Sequence, residues 1–243
     1  MRRSRKTALM AASTAAAVAA GGLAMALSAG AASAATGTIN PVARTQAETA
    51  ISVRITALNA ANTLVQQTGW FAGTDQATLE NIINGDIHGN GAVPGLTALA
   101  TTISNESDPV KFHAEVQSIF NDYRVYALAL PQVRLVRAGD RLTTDTVPTL
   151  KNLDTDLNQA IAQEKAEGKD VQAAQAAVSD LEAQVAVIGQ KTNGTSAALL
   201  ALTPSEWNAN HGAVTPYRDD LQAAGAAARQ AAKDARTALK DLQ

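Results

Sequence analysis

Between Val171 and Ile188 the apolar residues Val171, Ala174, Val178, Leu181, Val185 and Ile188 recur at alternating intervals of three and four. That spacing lines one face of an α-helix and is incompatible with the two-residue repeat of a strand. A seam of this kind is coiled-coil-like and needs a helical partner with a matching face. The last segment offers one in Leu221, Ala224, Ala228, Ala231, Ala235, Leu239 and Leu242, whose small residues allow close helix approach. Aromatic residues make up 3% of the chain, β-branched runs are short, and Ala, Gln, Leu, Asp and Lys dominate. This composition favours helix over strand. The predicted fold is all-α: an antiparallel helical bundle with coiled-coil-like long helices.

Local signals set the expected helix boundaries. Asn40-Pro41 reads as cap and first residue of a helix running to about Gln67, with Ile51, Ile55, Leu58, Ala61 and Val65 inward. Thr74 or Asp75 is expected to cap a short helix through Ile83, and another short one follows near Leu96–Ile103. Asp108-Pro109 opens a stronger helix whose apolar face is Phe112, Val116, Ile119, Phe120, Tyr123, Tyr126, Ala127 and Leu130. Pro131 is expected to kink or interrupt it, because proline lacks the backbone donor and strikes the carbonyl four residues back. A further helix is expected over Thr146–Glu167. Thr203-Pro204-Ser205-Glu206 is a capping box, and Thr215-Pro216 starts the last helix.

The first 34 residues look like an export signal. Arg2, Arg3, Arg5 and Lys6 precede an Ala-rich, mildly apolar stretch to about Leu27, and Ala32-Ser33-Ala34 is a small-x-small cleavage site. Arg3 is followed by Ser4-Arg5-Lys6-Thr7, which lacks the apolar pair of a twin-arginine signal, so general secretion is the expected route. Too few large apolar residues occur there for a permanent span. Residues 35–243 are then expected to form a single helical-bundle domain, secreted and either released or held non-covalently at the cell envelope. Removing the signal takes four cations and leaves 16 Lys+Arg against 22 Asp+Glu, a net charge of −6. That balance argues against nucleic acid and anionic membranes as partners. With no cysteine, disulfides, a lipid-modified cysteine and thiolate metal sites are excluded.

The run from Ile119 to Pro131 (IFNDYRVYALALP), together with Leu202-Thr203-Pro204, Asn208-Ala209-Asn210 and the Leu-x-x-Asp pattern of the last helices, resembles a group of secreted, Ala-rich helical proteins of actinobacterial type. The resemblance implies a secreted helical domain and carries over no catalytic or binding residue.

Two residue groups are candidate ligand sites. Tyr123, Arg124 and Tyr126 concentrate phenols and a guanidinium beside Pro131, a combination suited to a planar or anionic small ligand. The competing reading places Phe120, Tyr123 and Tyr126 in the main core layer. Arg134, Arg137 and Arg141 fall on one helical stripe and suit an acidic polymer or a phosphate-rich ligand. The competing reading is a solvated row paired with carboxylates such as Asp140 and Asp145. Asp86-Ile87-His88-Gly89-Asn90-Gly91 resembles the start of a calcium loop, but His88 stands at a ligand position and Thr97 at the twelfth, so a connector is the better reading. His88, His113 and His211 lack zinc-helix spacing, and neither a Glu-x-x-His nor a Gly-x-Ser-x-Gly motif occurs. No cofactor or metal is therefore expected and no enzyme motif is present. Trp70, Phe71 and Trp207 sit at helix ends and are expected to dock together as a cap over the bundle or to form an exposed aromatic patch for carbohydrate or partner binding. The expected function is non-enzymatic, through contact with an envelope protein or polymer. The alternative is a small-ligand carrier or sensor with a pocket near Tyr123 and Tyr126.

Overall fold

Ten helices, all without strand partners, carry the chain from Pro41 to Asp241 in a computed structural model that describes residues 37–67, 69–85 and 91–243. The export signal and the Asp86–Asn90 part of the glycine-rich connector lie outside the described residues. The helices are α1 (Pro41–Val65), α2 (Gly73–Asn84), α3 (Ala92–Asn105), α4 (Pro109–Asn121), α5 (Leu130–Arg141), α6 (Val147–Ala166), α7 (Gln172–Thr192), α8 (Thr195–Ala201), α9 (Pro204–Ala209) and α10 (Thr215–Asp241). The fold is all-α among the described residues.

Local chemistry starts several of these helices where the sequence places them. Asn40 Oδ1 accepts from Val42 N at 2.9 Å, and Asp108 Oδ1 accepts from Val110 N at 2.8 Å, each satisfying a donor that the first turn leaves open. Thr203 and Glu206 close the capping box of α9 in both directions. A different device ends α3: the Arg44 guanidinium reaches from α1 to donate to the carbonyls of Ile103, Ser104 and Glu106. A cation there also opposes the negative end of the α3 dipole.

The break expected at Pro131 occurs earlier. The α4 helix stops at Asn121, and Arg124 turns the chain with φ 40° and ψ 41°, in the left-handed region. From Val125 to Ala166 the chain is then one helical rod, roughly 60 Å long at about 1.5 Å per residue. The helix expected to begin separately at Thr146 is the second half of this rod. Two π-helical turns, Val125–Ala129 and Leu142–Thr146, punctuate it. Each holds the residue four positions before a proline: Ala127 before Pro131, Thr144 before Pro148. A widened turn moves aside the carbonyl that the proline ring would strike, so the rod passes both prolines without ending.

Apolar burial divides into two clusters. One gathers α1–α5 and α8 around Ile51, Leu58, Leu79, Ile83, Leu96 and Ile119. The other joins α6, α7 and α10 through Leu157, Ile161, Leu181, Ile188 and the alanine face of α10, with Leu142 touching both. The α7 seam is buried as its spacing predicts, except that Val185 is only partly covered. On α10 the buried face is Leu221, Ala224, Ala227, Ala231, Ala235 and Ala238; Leu239, expected inward, is exposed. Lys191 Nζ pairs with Asp220 at 2.7 Å, joining the end of α7 to the start of α10, so the two run antiparallel.

Candidate functional site

Tyr123, Arg124 and Tyr126 do not converge. The left-handed backbone at Arg124 sends them into three settings. The Tyr123 ring packs into the notch left by Gly95 of α3, and its burial pushes the phenol pKa upward. Arg124 stacks over Trp207 at 4.6 Å, donates to Asn121 Oδ1 at 3.0 Å and reaches Asn208 Oδ1. Its guanidinium thus ties the end of α4 to α9. Tyr126 is 48% exposed and Phe120 is 37% exposed; the two flank the Arg54 guanidinium at 5.3 and 4.4 Å. Neither belongs to a core layer. A core position for both fails because the chain turns between them and the inward-facing residues of this stretch are Ile119, Val125, Leu128 and Ala129.

The Tyr123 notch gives a testable consequence. A Cβ on Gly95 lies 2.7 Å from the ring. Gly95→Ala is therefore expected to destabilise the protein by about 1–2 kcal/mol despite the better helix propensity of alanine. The ring is expected to move toward solvent, with a lower tyrosine pKa on ultraviolet titration.

The arginine stripe does come together. Arg134, Arg137 and Arg141 lie on one face of α5 because intervals of three and four residues return to the same side of a helix. With Ala138, Leu142 and Thr146 they line a shallow groove of about 560 Å³. Leu142 and Thr146 are the two ends of the second π turn. The Trp70 ring lies under the Arg137 guanidinium, 3.4 Å from carbon to ring centroid. Burial and the neighbouring Arg141 charge lower the Arg137 pKa.

The expected pairing with carboxylates is mostly missing. Among the described residues only Asp145 comes within ion-pair reach of the row, 3.9 Å from Arg141, and both side chains are largely exposed. A pair so exposed contributes about 0–1 kcal/mol and is easily exchanged for a ligand anion.

Asp140, expected as a surface partner for the arginines, points the other way. It is 3% exposed. Its Oδ2 accepts from Ala72 N at 2.8 Å and its Oδ1 from the Ser196 hydroxyl at 3.0 Å. The carboxylate thereby caps α2 from a distance, replacing the local Thr74 or Asp75 cap expected from the sequence. Burial, with a smaller push from nearby Asp75, raises its pKa to about 6 against the opposing pull of the Ala72 and Ser196 hydrogen bonds. An acid whose pKa is raised in the fold holds its proton more tightly there than in the unfolded chain. Its contribution to stability therefore falls as pH rises from about 4 to about 6 and is level above that.

The remaining sequence candidates resolve separately. Trp70 and Trp207 serve different arginines, and Phe71 is buried in the first cluster. His113 meets Gln117 at 2.9 Å, and His211 stacks on Trp207. His88 and most of the calcium-like loop lie outside the described residues. Among the described residues no three His, Asp or Glu side chains gather as a metal site, and no helix is long and apolar enough to cross a membrane. No protein-family model, curated protein or solved structure matches this chain.

Proposed function

We propose that this is an exported, non-enzymatic helical protein that holds an anionic polymer at the cell envelope in the Arg134–Arg137–Arg141 groove. One observation carries the reading: three guanidinia line one concave surface with a single exposed carboxylate in reach among the described residues. Guanidinium forks match phosphate and carboxylate oxygens in two-point geometry, which lysine does not. The chain as a whole is net acidic, so the groove is a local positive feature and directs an anion to one place. Arg137 is partly immobilised on Trp70, which reduces the ordering needed on binding. A small-ligand carrier using Tyr123 and Tyr126 has less support, since their side chains serve separate contacts.

Co-sedimentation and titration with inorganic polyphosphate, polyglutamate and neutral dextran test the proposal. Polyphosphate and polyglutamate are expected to bind and dextran not to. The R134Q/R137Q/R141Q variant is expected to lose about tenfold or more in affinity. R229Q/R236Q, which removes two exposed cations from α10, is expected to bind as the unaltered protein does. Equal binding by both variants would contradict the assignment.

A further inference from the structure

We infer that Asp140 is a proton-operated latch between α5 and α2 that sets the state of the arginine groove, closing in acid and easing above neutrality. The effect on ligand rests on the groove being the anion site; the latch itself does not. The geometry links the two directly. Asp140 lies on α5 one helical turn after Arg137 and next to Arg141, yet its side chain faces inward, onto the first turn of α2 and onto Ser196 of α8. The backbone N–H it accepts belongs to Ala72, two residues beyond Trp70, whose ring lies against Arg137. One short segment, Trp70–Ala72, therefore carries both the latch and the ring on which one arginine of the groove rests.

The groups around the carboxylate determine the direction. From α2 the ionisable neighbour is Asp75, another acid; α8 contributes the uncharged Ser196 hydroxyl. From α10, Leu221 packs beside neighbouring Gly139. Lys191 of α7 and Asp220 of α10 are paired with each other. No cation among the described residues makes an ion pair with Asp140. With a proton, the Asp140 carboxyl is neutral and can be shared with Asp75, which suits an enclosed contact. Without it, two carboxylates oppose each other across the α5–α2 contact, and opening that hydrates Asp140 becomes easier. The Trp70–Arg137 stack, and with it the pre-arranged groove, is then less populated, and apparent affinity falls by the same fraction.

A single-tryptophan protein, W207F, leaves Trp70 as the only reporter, since the chain has two tryptophans. Its fluorescence without ligand is expected to titrate with a midpoint near 6, to be flat in W207F/D140N, and to shift to lower pH in W207F/D75N. The amide that D140N introduces can still accept from Ala72 N and donate to the Ser196 oxygen, and D75N tests the same coupling without touching Asp140. Polyphosphate, whose internal groups stay ionised throughout, is expected to bind about threefold more tightly at pH 5 than at pH 8, with the difference absent in D140N. A flat Trp70 signal in W207F, or a titration that persists in W207F/D140N, would overturn the latch. Trp70 titrating through Asp140 with no polyphosphate binding at either pH supports the latch and overturns the polymer reading.

Discussion

Replacing Gln132 with leucine is expected to destabilise the protein by about 2–4 kcal/mol, a loss of roughly 5–15 °C in midpoint temperature for a domain of this size. Gln132 is 1% exposed. Its Nε2 donates to the carbonyl oxygens of Leu199 at 2.7 Å and Leu202 at 2.9 Å. These carbonyls lie at the end of α8, where a helix runs short of partners for its last acceptors; Leu199 O has one more, Leu202 N at 3.2 Å. Leucine matches the side-chain volume closely, so a cavity contributes little. The expected loss is that of both side-chain hydrogen bonds, which leaves Leu202 O without its Gln132 donor and Leu199 O with only the backbone bond from Leu202 N. Gln132→Glu is expected to be worse, because it adds a buried negative charge facing two carbonyl oxygens. Urea denaturation of the three proteins at pH 7 measures the series. A Q132L protein as stable as the original would mean that α8 does not depend on the rod for its C-terminal cap.

An Ala231→Leu change is expected to act by the opposite route, through excess volume. Ala231 is 0% exposed and sits midway along the alanine face that α10 turns to α7. These two helices make the most extensive interhelical contact among the described residues. With Ala224, Ala227, Ala235 and Ala238 above and below, no neighbouring side chain on that face is large enough to yield space by changing rotamer. Three added carbons must therefore push the helices apart or bend one of them, at a cost of about 1–3 kcal/mol. The same change at Ala226, exposed on the outer side of α10, is expected to stay within about 0.5 kcal/mol. A thermal-unfolding comparison checks both. Equal effects at the two positions would show that the alanine face is not tightly packed.

The features legible in the sequence are those whose cause is local. Asn40, Asp108 and the Thr203–Glu206 box announce helix starts because a cap and its backbone donor lie within three residues of each other. The three-four spacing of α7 identifies its buried face almost residue for residue. The arginine stripe is legible as a stripe, since helical spacing alone decides it. Its lack of partners is not, because that depends on which carboxylates other elements bring near. Asp140 illustrates the limit: its position beside Arg141 suggests a surface ion pair, whereas its partners Ala72 and Ser196 come from residues more than fifty positions away. The chain break at Arg124 is hidden for the same reason. A left-handed arginine has no local signature, and the contacts that hold it there, Trp207 and Asn208, are supplied by α9. Pro131 carries a strong local signal for a break, and the π turn absorbs it.

The central claim is that the three arginines bind an anionic polymer as a group. Its most direct measure is the salt dependence of polyphosphate affinity at fixed pH. Each phosphate neutralised by an arginine releases close to one counterion, so the logarithm of the association constant is expected to fall against the logarithm of salt concentration with a slope of about −2 to −3. In R134Q/R137Q/R141Q the slope is expected to approach zero together with the affinity. A steep slope that survives removal of Arg134, Arg137 and Arg141 would place the anion elsewhere on the protein and contradict the assignment.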